Sequence, residues 1–245
     1  MRLLVAATAL AAPAVLSQTL DLLPLPEPHE YGNVLITRQE ESSSQLSVPF
    51  SHWSHRRYHT CRVCHFELGF VMAANVTEIT EEQNRNGQYC GACHNGEIAF
   101  DHGEENCIKC HNGGWDNPVR RFADLQNFPK EEFGNEIDWT AALDQGLIAP
   151  EQSLLDEHYE PVEFKRELDI TANWALIPPA EFPHDVHMKW LDCGDCHPGI
   201  FNVKVKSTMH FEMKYVLEGR FCGVCHLSVA FPLNNCKRCH PGMHR

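Results

Sequence analysis

The chain has 245 residues, a formal net charge of −13 and 12 cysteines. The acidic balance works against nucleic acid and anionic lipid as partners and favours basic ones. The length admits one or two domains, and past the N-terminus no stretch reaches the roughly 20 apolar residues that a spanning helix needs.

Residues 1–17 read as a cleaved secretory signal, with Arg2 at the start, an apolar run over Leu3–Ala12 and small residues near Ala14 or Ser17 as the exit. An apolar first element of the fold is the alternative. Residues 18–49 follow as an N-terminal arm in which Leu22-Leu-Pro-Leu-Pro is extended and apolar, suited to docking on a neighbour or to lying on the surface.

Every cysteine then falls into a five-residue string, Cys-x-x-Cys-His. The six copies pair Cys61 with Cys64, Cys90 with Cys93, Cys107 with Cys110, Cys193 with Cys196, Cys222 with Cys225, and Cys236 with Cys239. This string attaches c-type haem: two thiols bond the two vinyl groups of one porphyrin, and the next histidine reaches its iron. Zinc and a redox dithiol are the competing uses of a Cys-x-x-Cys pair. Neither needs a histidine directly after the second cysteine, nor six repetitions. The string thus predicts six covalently bound haems c, with His65, His94, His111, His197, His226 and His240 as proximal iron ligands. Haem attachment in bacteria takes place outside the cytoplasm, which supports export to the periplasm or beyond.

Six haems leave about 41 residues each, too few to wrap every one in an apolar protein core. The macrocycles themselves are then expected to form the core, and the fold class is mostly irregular with short α-helices.

The motifs form two sets of three. Phe50-Ser-His52-Trp-Ser-His55 stands over Phe182-Pro-His184-Asp-Val-His187, and each Phe precedes its first haem cysteine by 11 residues. First and second cysteine pairs are 29 positions apart in both sets, and only the last spacing differs, 17 against 14. Gly87-Gln-Tyr-Cys90-Gly-Ala-Cys93-His94 matches Gly219-Arg-Phe-Cys222-Gly-Val-Cys225-His226, and Ala99-Phe100 matches Ala230-Phe231. Such self-similarity indicates duplication of a three-haem unit, here residues 50–113 and 182–245. His52 and His55, like His184 and His187, lie at i and i+3, the spacing with which one helical turn presents two imidazoles to distal iron positions.

Between the units lies an acidic connector, 114–181, while 182–245 is net positive. Asn135 or Asp138 can cap a short helix that Gly146 ends, and a second helix is predicted from about Pro150 to Tyr159. Trp139 and Trp174 favour an ordered strap over a flexible tether.

Phe-x-His-x-x-His followed by three haem motifs within about 70 residues resembles the trihaem cytochrome c7 module and the related tetrahaem cytochromes c3. CGACHNGEIAF and CGVCHLSVAFPLNNCKRCH are similar to c7-type repeats of multihaem proteins from metal-respiring bacteria. The resemblance implies that His52 ligates the first haem, His55 the second, His184 the fourth and His187 the fifth. It also implies a distal histidine for the last haem of each unit between the first two motifs. The second unit offers His210 there, with Met209 or His244 as alternatives. The first unit has no such histidine, and His102 is preferred over Met72, His59, His29 or His158. A methionine ligand would raise that haem's potential.

The expected function is electron transfer between redox proteins without substrate chemistry. A subunit of a membrane oxidoreductase or a protomer of an extracellular haem filament is the alternative, and a reductase with one open haem is a third. No CxxCK-type active-site motif is present.

Overall fold

A computed structural model describes residues 24–38, 45–114, 118–173 and 176–243. The N-terminal signal, the start of the Leu22–Pro26 run, Trp174 and His244 lie outside the described residues. Regular structure is sparse and short, as expected for a chain built around bulky cofactors.

Each half is organised by one small unit, a two-stranded antiparallel ribbon feeding a single helical turn. In the first half β1 (Asn33–Ile36) pairs with β2 (Val48–Ser51) in the register Asn33↔Ser51, and α1 (His52–His55) follows directly. In the second, β3 (Glu167–Ile170) pairs with β4 (Ala180–Pro183) in the register Glu167↔Pro183, and α6 (His184–Met188) follows. The structural repeat therefore begins well upstream of Phe50 and Phe182, in segments whose sequences, NVLI and ELDI, share only the final Ile. Strand pairing is carried by backbone groups, so side chains there need not match.

Between the ribbons and the last motifs run α2 (Glu81–Arg85) and α3 (Cys107–Cys110) in the first half. Their counterparts are α8 (Met213–Leu217) and α10 (Cys236–Cys239), with α7 (Cys193–Cys196) and α9 (Gly223–His226) on the remaining motifs of the second half. Gly91 and Gly223, the glycines inside the second motif of each half, are buried. A Cβ at either would collide with a carbonyl oxygen of the preceding helix, Asn84 O or Val216 O. These two glycines allow backbone to approach backbone where a side chain cannot fit.

The connector is packed rather than loose. It carries α4 (Pro118–Ala123) and α5 (Trp139–Asp144). Asp138 caps α5 by accepting the Ala141 N–H at 2.9 Å, and Gly146 leaves it at φ 69°, as the sequence predicted. Phe122, Leu125, Ile137, Trp139, Ala142 and Ile148 of the connector enclose Trp53 of α1. Each of the larger side chains contributes roughly 1.5–3 kcal/mol by leaving water. This cluster is a conventional protein core beside the cofactor space, which residues-per-haem arithmetic alone does not anticipate. The helix predicted over Pro150–Tyr159 is absent. That stretch is irregular because its backbone is used outward: Glu151 accepts from Thr60 N–H and donates to Tyr58 O, and Leu154 N–H goes to the Glu67 carboxylate.

Candidate functional site

No disulfide joins any of the twelve cysteines. Burial pushes the Cys64, Cys222 and Cys225 thiols up to about 12, and those of Cys90 and Cys196 to about 11. A redox dithiol needs the opposite shift, toward thiolate. No group of three or more ligating side chains suited to a metal ion alone occurs among the described residues. A cavity of about 1960 Å³ runs through the interior, and cysteines and histidines of the motifs line it together with His52, His55 and His187.

The histidines show what this space is shaped for. Among the described residues ten histidines donate Nδ1–H to a backbone carbonyl. The six motif histidines do so to Phe70 (His65, 2.8 Å), Phe100 (His94, 3.1 Å), Leu46 (His111, 2.9 Å), Phe201 (His197, 2.9 Å), Phe231 (His226, 2.8 Å) and Pro178 (His240, 2.8 Å). The two upstream pairs do the same: His52 to Gly32 (3.0 Å), His55 to Ser51 (2.8 Å), His184 to Arg166 (2.7 Å) and His187 to Pro183 (2.8 Å). A proton fixed on Nδ1 leaves the Nε2 lone pair free and aims it, the usual arrangement of a metal-bound imidazole.

The partners recur between halves. Gly32 and Arg166 each immediately precede the first strand of their ribbon, while Leu46 and Pro178 each lie four residues before the repeated Phe. That Phe is also explained. Phe50 stacks on His55 at 4.4 Å and 29° and meets His52 edge-on at 4.9 Å. Phe182 stacks on His187 at 4.4 Å and 29° and meets His184 edge-on at 4.8 Å.

Pairs of rings then stand across similar gaps, the first pair parallel and the other two inclined at 58° and 66°. His52 and His65 are parallel within 8°, centroids 6.5 Å apart; His55 and His94 are 6.3 Å apart, and His187 and His226 are 6.2 Å apart. Two metal–imidazole bonds of about 2 Å, each extended by about 1.1 Å to the ring centre, span about 6 Å. A gap of this size would admit one metal ion held between the two imidazoles. Burial first, then the charge of Arg56, brings the His52 pKa down to about 3, and burial brings His226 down to about 4. Burial lowers His55, His94 and His187 as well. At these five imidazoles burial favours the neutral form, the one that can ligate.

The candidates for distal ligands of the third and sixth haems stand apart from this set. His102 sits beside His94, whose pKa it lowers slightly. His210 lies exposed at φ 57°, its ring 5.8 Å from Tyr215. Among the described residues neither has a backbone carbonyl on Nδ1. Nε2 of His59 lies 3.8 Å from Cys93 Sγ, and its buried Nδ1 has no protein partner. Met72 lines a smaller cavity with His65 and Asp195, Met209 is exposed, and His29 and His158 lie next to Glu30 and Glu157. Sequence reasoning missed the carbonyl braces, since a backbone acceptor leaves no mark in residue type.

The profile of the family described as cytochrome c7 and related cytochrome c matches residues 48–112 and 180–241. No curated protein matches the chain. Among solved structures, the C-terminal hexahaem fragment of GSU1996 is 25% identical over 85% of this chain and 96% of its own, with a TM-score of 0.29. A c7-type three-haem cytochrome domain is 32% identical, covering 33% of this chain and 91% of its own, with a TM-score of 0.29. The dodecahaem cytochrome c GSU1996 is 21% identical over 87% of this chain and 75% of its own, with a TM-score of 0.30. The family match and the twelve cysteines in six CxxCH pairs fit six covalent c-type haems.

Proposed function

Since the chain belongs to the family of cytochrome c7 and related cytochromes c, we propose that it is a hexahaem electron carrier working outside the cytoplasm, passing electrons from one redox protein to another without substrate chemistry. The observation that carries this reading is the set of imidazole pairs held 6.2–6.5 Å apart with their Nδ1 protons tied to the backbone. An iron closed on both faces has no position for a substrate, and rigid ligands let it change charge with little rearrangement. When bound, the haems supply the one-electron chemistry. The protein supplies attachment, ligands and surrounding charge.

In this reading His52 and His65 serve the first haem, and His55 and His94 the second. His184 with His197 serves the fourth, and His187 with His226 the fifth. For the third and sixth haems, His111 and His240 are the proximal ligands, and His102 and His210 are the distal ones. The last two, lacking a brace, are the least fixed of the twelve. Residues 1–17 act as the export signal. The two trihaem modules are 50–113 and 182–245, each with its upstream ribbon strand as structural support. The acidic connector favours basic redox partners. Among the described residues no helix is long and apolar enough to cross a membrane.

Electron paramagnetic resonance of the oxidised protein, before and after adding nitrite, hydroxylamine or cyanide, tests this. A carrier gives low-spin ferric signals that do not respond. A high-spin signal that shifts with nitrite or hydroxylamine would instead indicate a reductase with one open haem.

A further inference from the structure

Contacts between the two halves converge on the first haem motif. Arg62, inside Cys61-Arg-Val-Cys64-His65, is nearly enclosed, its side chain 8% exposed. Its Nε donates to Asp192, the residue before Cys193, at 3.0 Å. Its Nη1 donates to Glu67 at 2.5 Å and to the Gln152 carbonyl of the connector at 2.9 Å. The guanidinium lies 3.7 Å from the Tyr159 ring centre, and the Arg62 backbone N–H donates to Trp190 O at 2.9 Å. Glu67 is held in turn by the Ser153 hydroxyl and by Leu154 N–H at 2.8 Å.

The motifs themselves touch at the same place. The Phe66 ring lies against Gly194 of the fourth motif, where an added Cβ would come within 2.5 Å of it. His65 of the first motif, Gly194 and Asp195 of the fourth, and Val224 of the fifth line one cavity of about 340 Å³. Further contacts reach the fifth motif's tail: Arg56 Nη2 donates to Val229 O at 3.4 Å, and the Tyr31 hydroxyl to Ala230 O at 2.7 Å.

We propose that the first motif, Cys61–His65, is the crossing point between the two trihaem modules, and that Arg62 is the positioning residue that fixes its spacing against the fourth motif. The inference rests on the electron-transfer reading for its purpose, though not for its geometry. A cysteine-attached porphyrin cannot move independently of its motif, so locking two motifs together locks the haems they carry. Arginine suits the task because its planar fork bonds two carboxylates and a carbonyl in fixed directions while stacking on an aromatic face. A lysine is a single flexible point charge and cannot do all of these at once.

The test uses the full-length, haem-loaded protein with Arg62→Gln, Arg62→Lys and Asp192→Asn. Haem content is counted by pyridine haemochrome, and pairwise redox interactions are followed by NMR of the haem methyl signals during stepwise oxidation. The expected result is six haems retained and unchanged interactions within each module. The interaction between the haems at Cys61–His65 and Cys193–His197 weakens in Arg62→Gln and is only partly restored in Arg62→Lys. If Arg62→Gln fails to mature, Asp192→Asn, which leaves the Arg62–Glu67 pair intact, must show the same weakening in smaller degree. A lower unfolding midpoint with every pairwise interaction unchanged would overturn the proposal by reducing Arg62 to a purely stabilising role. The spin state of the oxidised protein, which tests the electron-carrier reading, is independent of this result.

Discussion

Gly223→Ala puts the smallest possible side chain where the second module has no room for one. The new Cβ would overlap the Val216 carbonyl oxygen, which already accepts Gly219 N–H at 3.1 Å to close the end of α8. Gly223 N–H is itself fixed to Arg220 O at 2.8 Å, so neither backbone can retreat without losing a hydrogen bond. Forced overpacking of this kind costs about 1–3 kcal/mol or more. For a chain of this size that corresponds to a fall of roughly 2–12 °C in unfolding midpoint, at about 2–4 °C per kcal/mol. Gly91→Ala meets the Asn84 carbonyl in the same way in the first module, and the two losses should add because the sites share no partner. Gly199→Ala is the control: nothing lies within 4 Å of its Cβ position, so it should leave stability level or raise it by about 0.4–1 kcal/mol through the unfolded chain. The assay is thermal unfolding followed by circular dichroism, with haem content by pyridine haemochrome. Wild-type stability and six haems in Gly223→Ala would refute the close approach on which the motif geometry depends.

Three other outcomes follow from the same contacts. Asp138→Ala removes the cap of α5 and should lower stability by about 1 kcal/mol, read from the denaturant midpoint. His187→Ala should convert one haem of the six from low-spin to high-spin and create one cyanide-binding site per chain, measured by optical titration; its ring partner His226 stays braced by Phe231. Acidification should weaken the clamp around Glu67. Burial disfavours that carboxylate, but hydrogen bonds from Ser153, Leu154 and Arg62 outweigh burial and hold its pKa below the usual 4.5. A depressed folded pKa gives stability that is present above the unfolded value and lost as pH falls through the folded one. The loss should therefore begin below about pH 4.5 and be reduced in Glu67→Gln, checked by unfolding at a series of pH values.

The features legible in the sequence are those written by local covalent or helical geometry. Haem attachment needs two thiols and a histidine at fixed spacing, so Cys61–His65 and its five copies announce themselves. One helical turn brings residues i and i+3 to one side, so the pairs His52/His55 and His184/His187 were visible, and Asp138 and Gly146 marked the ends of α5. The carbonyl braces, the ribbons upstream of the repeated Phe and the Glu151 pairing that displaces the expected helix are all backbone interactions, which residue type does not encode. The core around Trp53 was hidden for a different reason. It joins α1 to residues 122–148, and a long-range contact of that kind has no periodic signature. Arg62 gave no signal either, since a charged residue inside a haem motif ordinarily faces water; only the approach of Asp192, Gln152 and Tyr159 turns it into a buried junction.

A carrier of the proposed kind stores and passes electrons through six haems closed to substrate. Coulometric reduction of the purified oxidised protein, followed at the haem absorption band, measures this directly. The expected result is uptake of six electrons per chain, spread over a range of potentials, with full reoxidation by an external acceptor and no change on adding nitrite or hydroxylamine. Fewer than six electrons per chain, or a catalytic current that appears with either substrate, would contradict it.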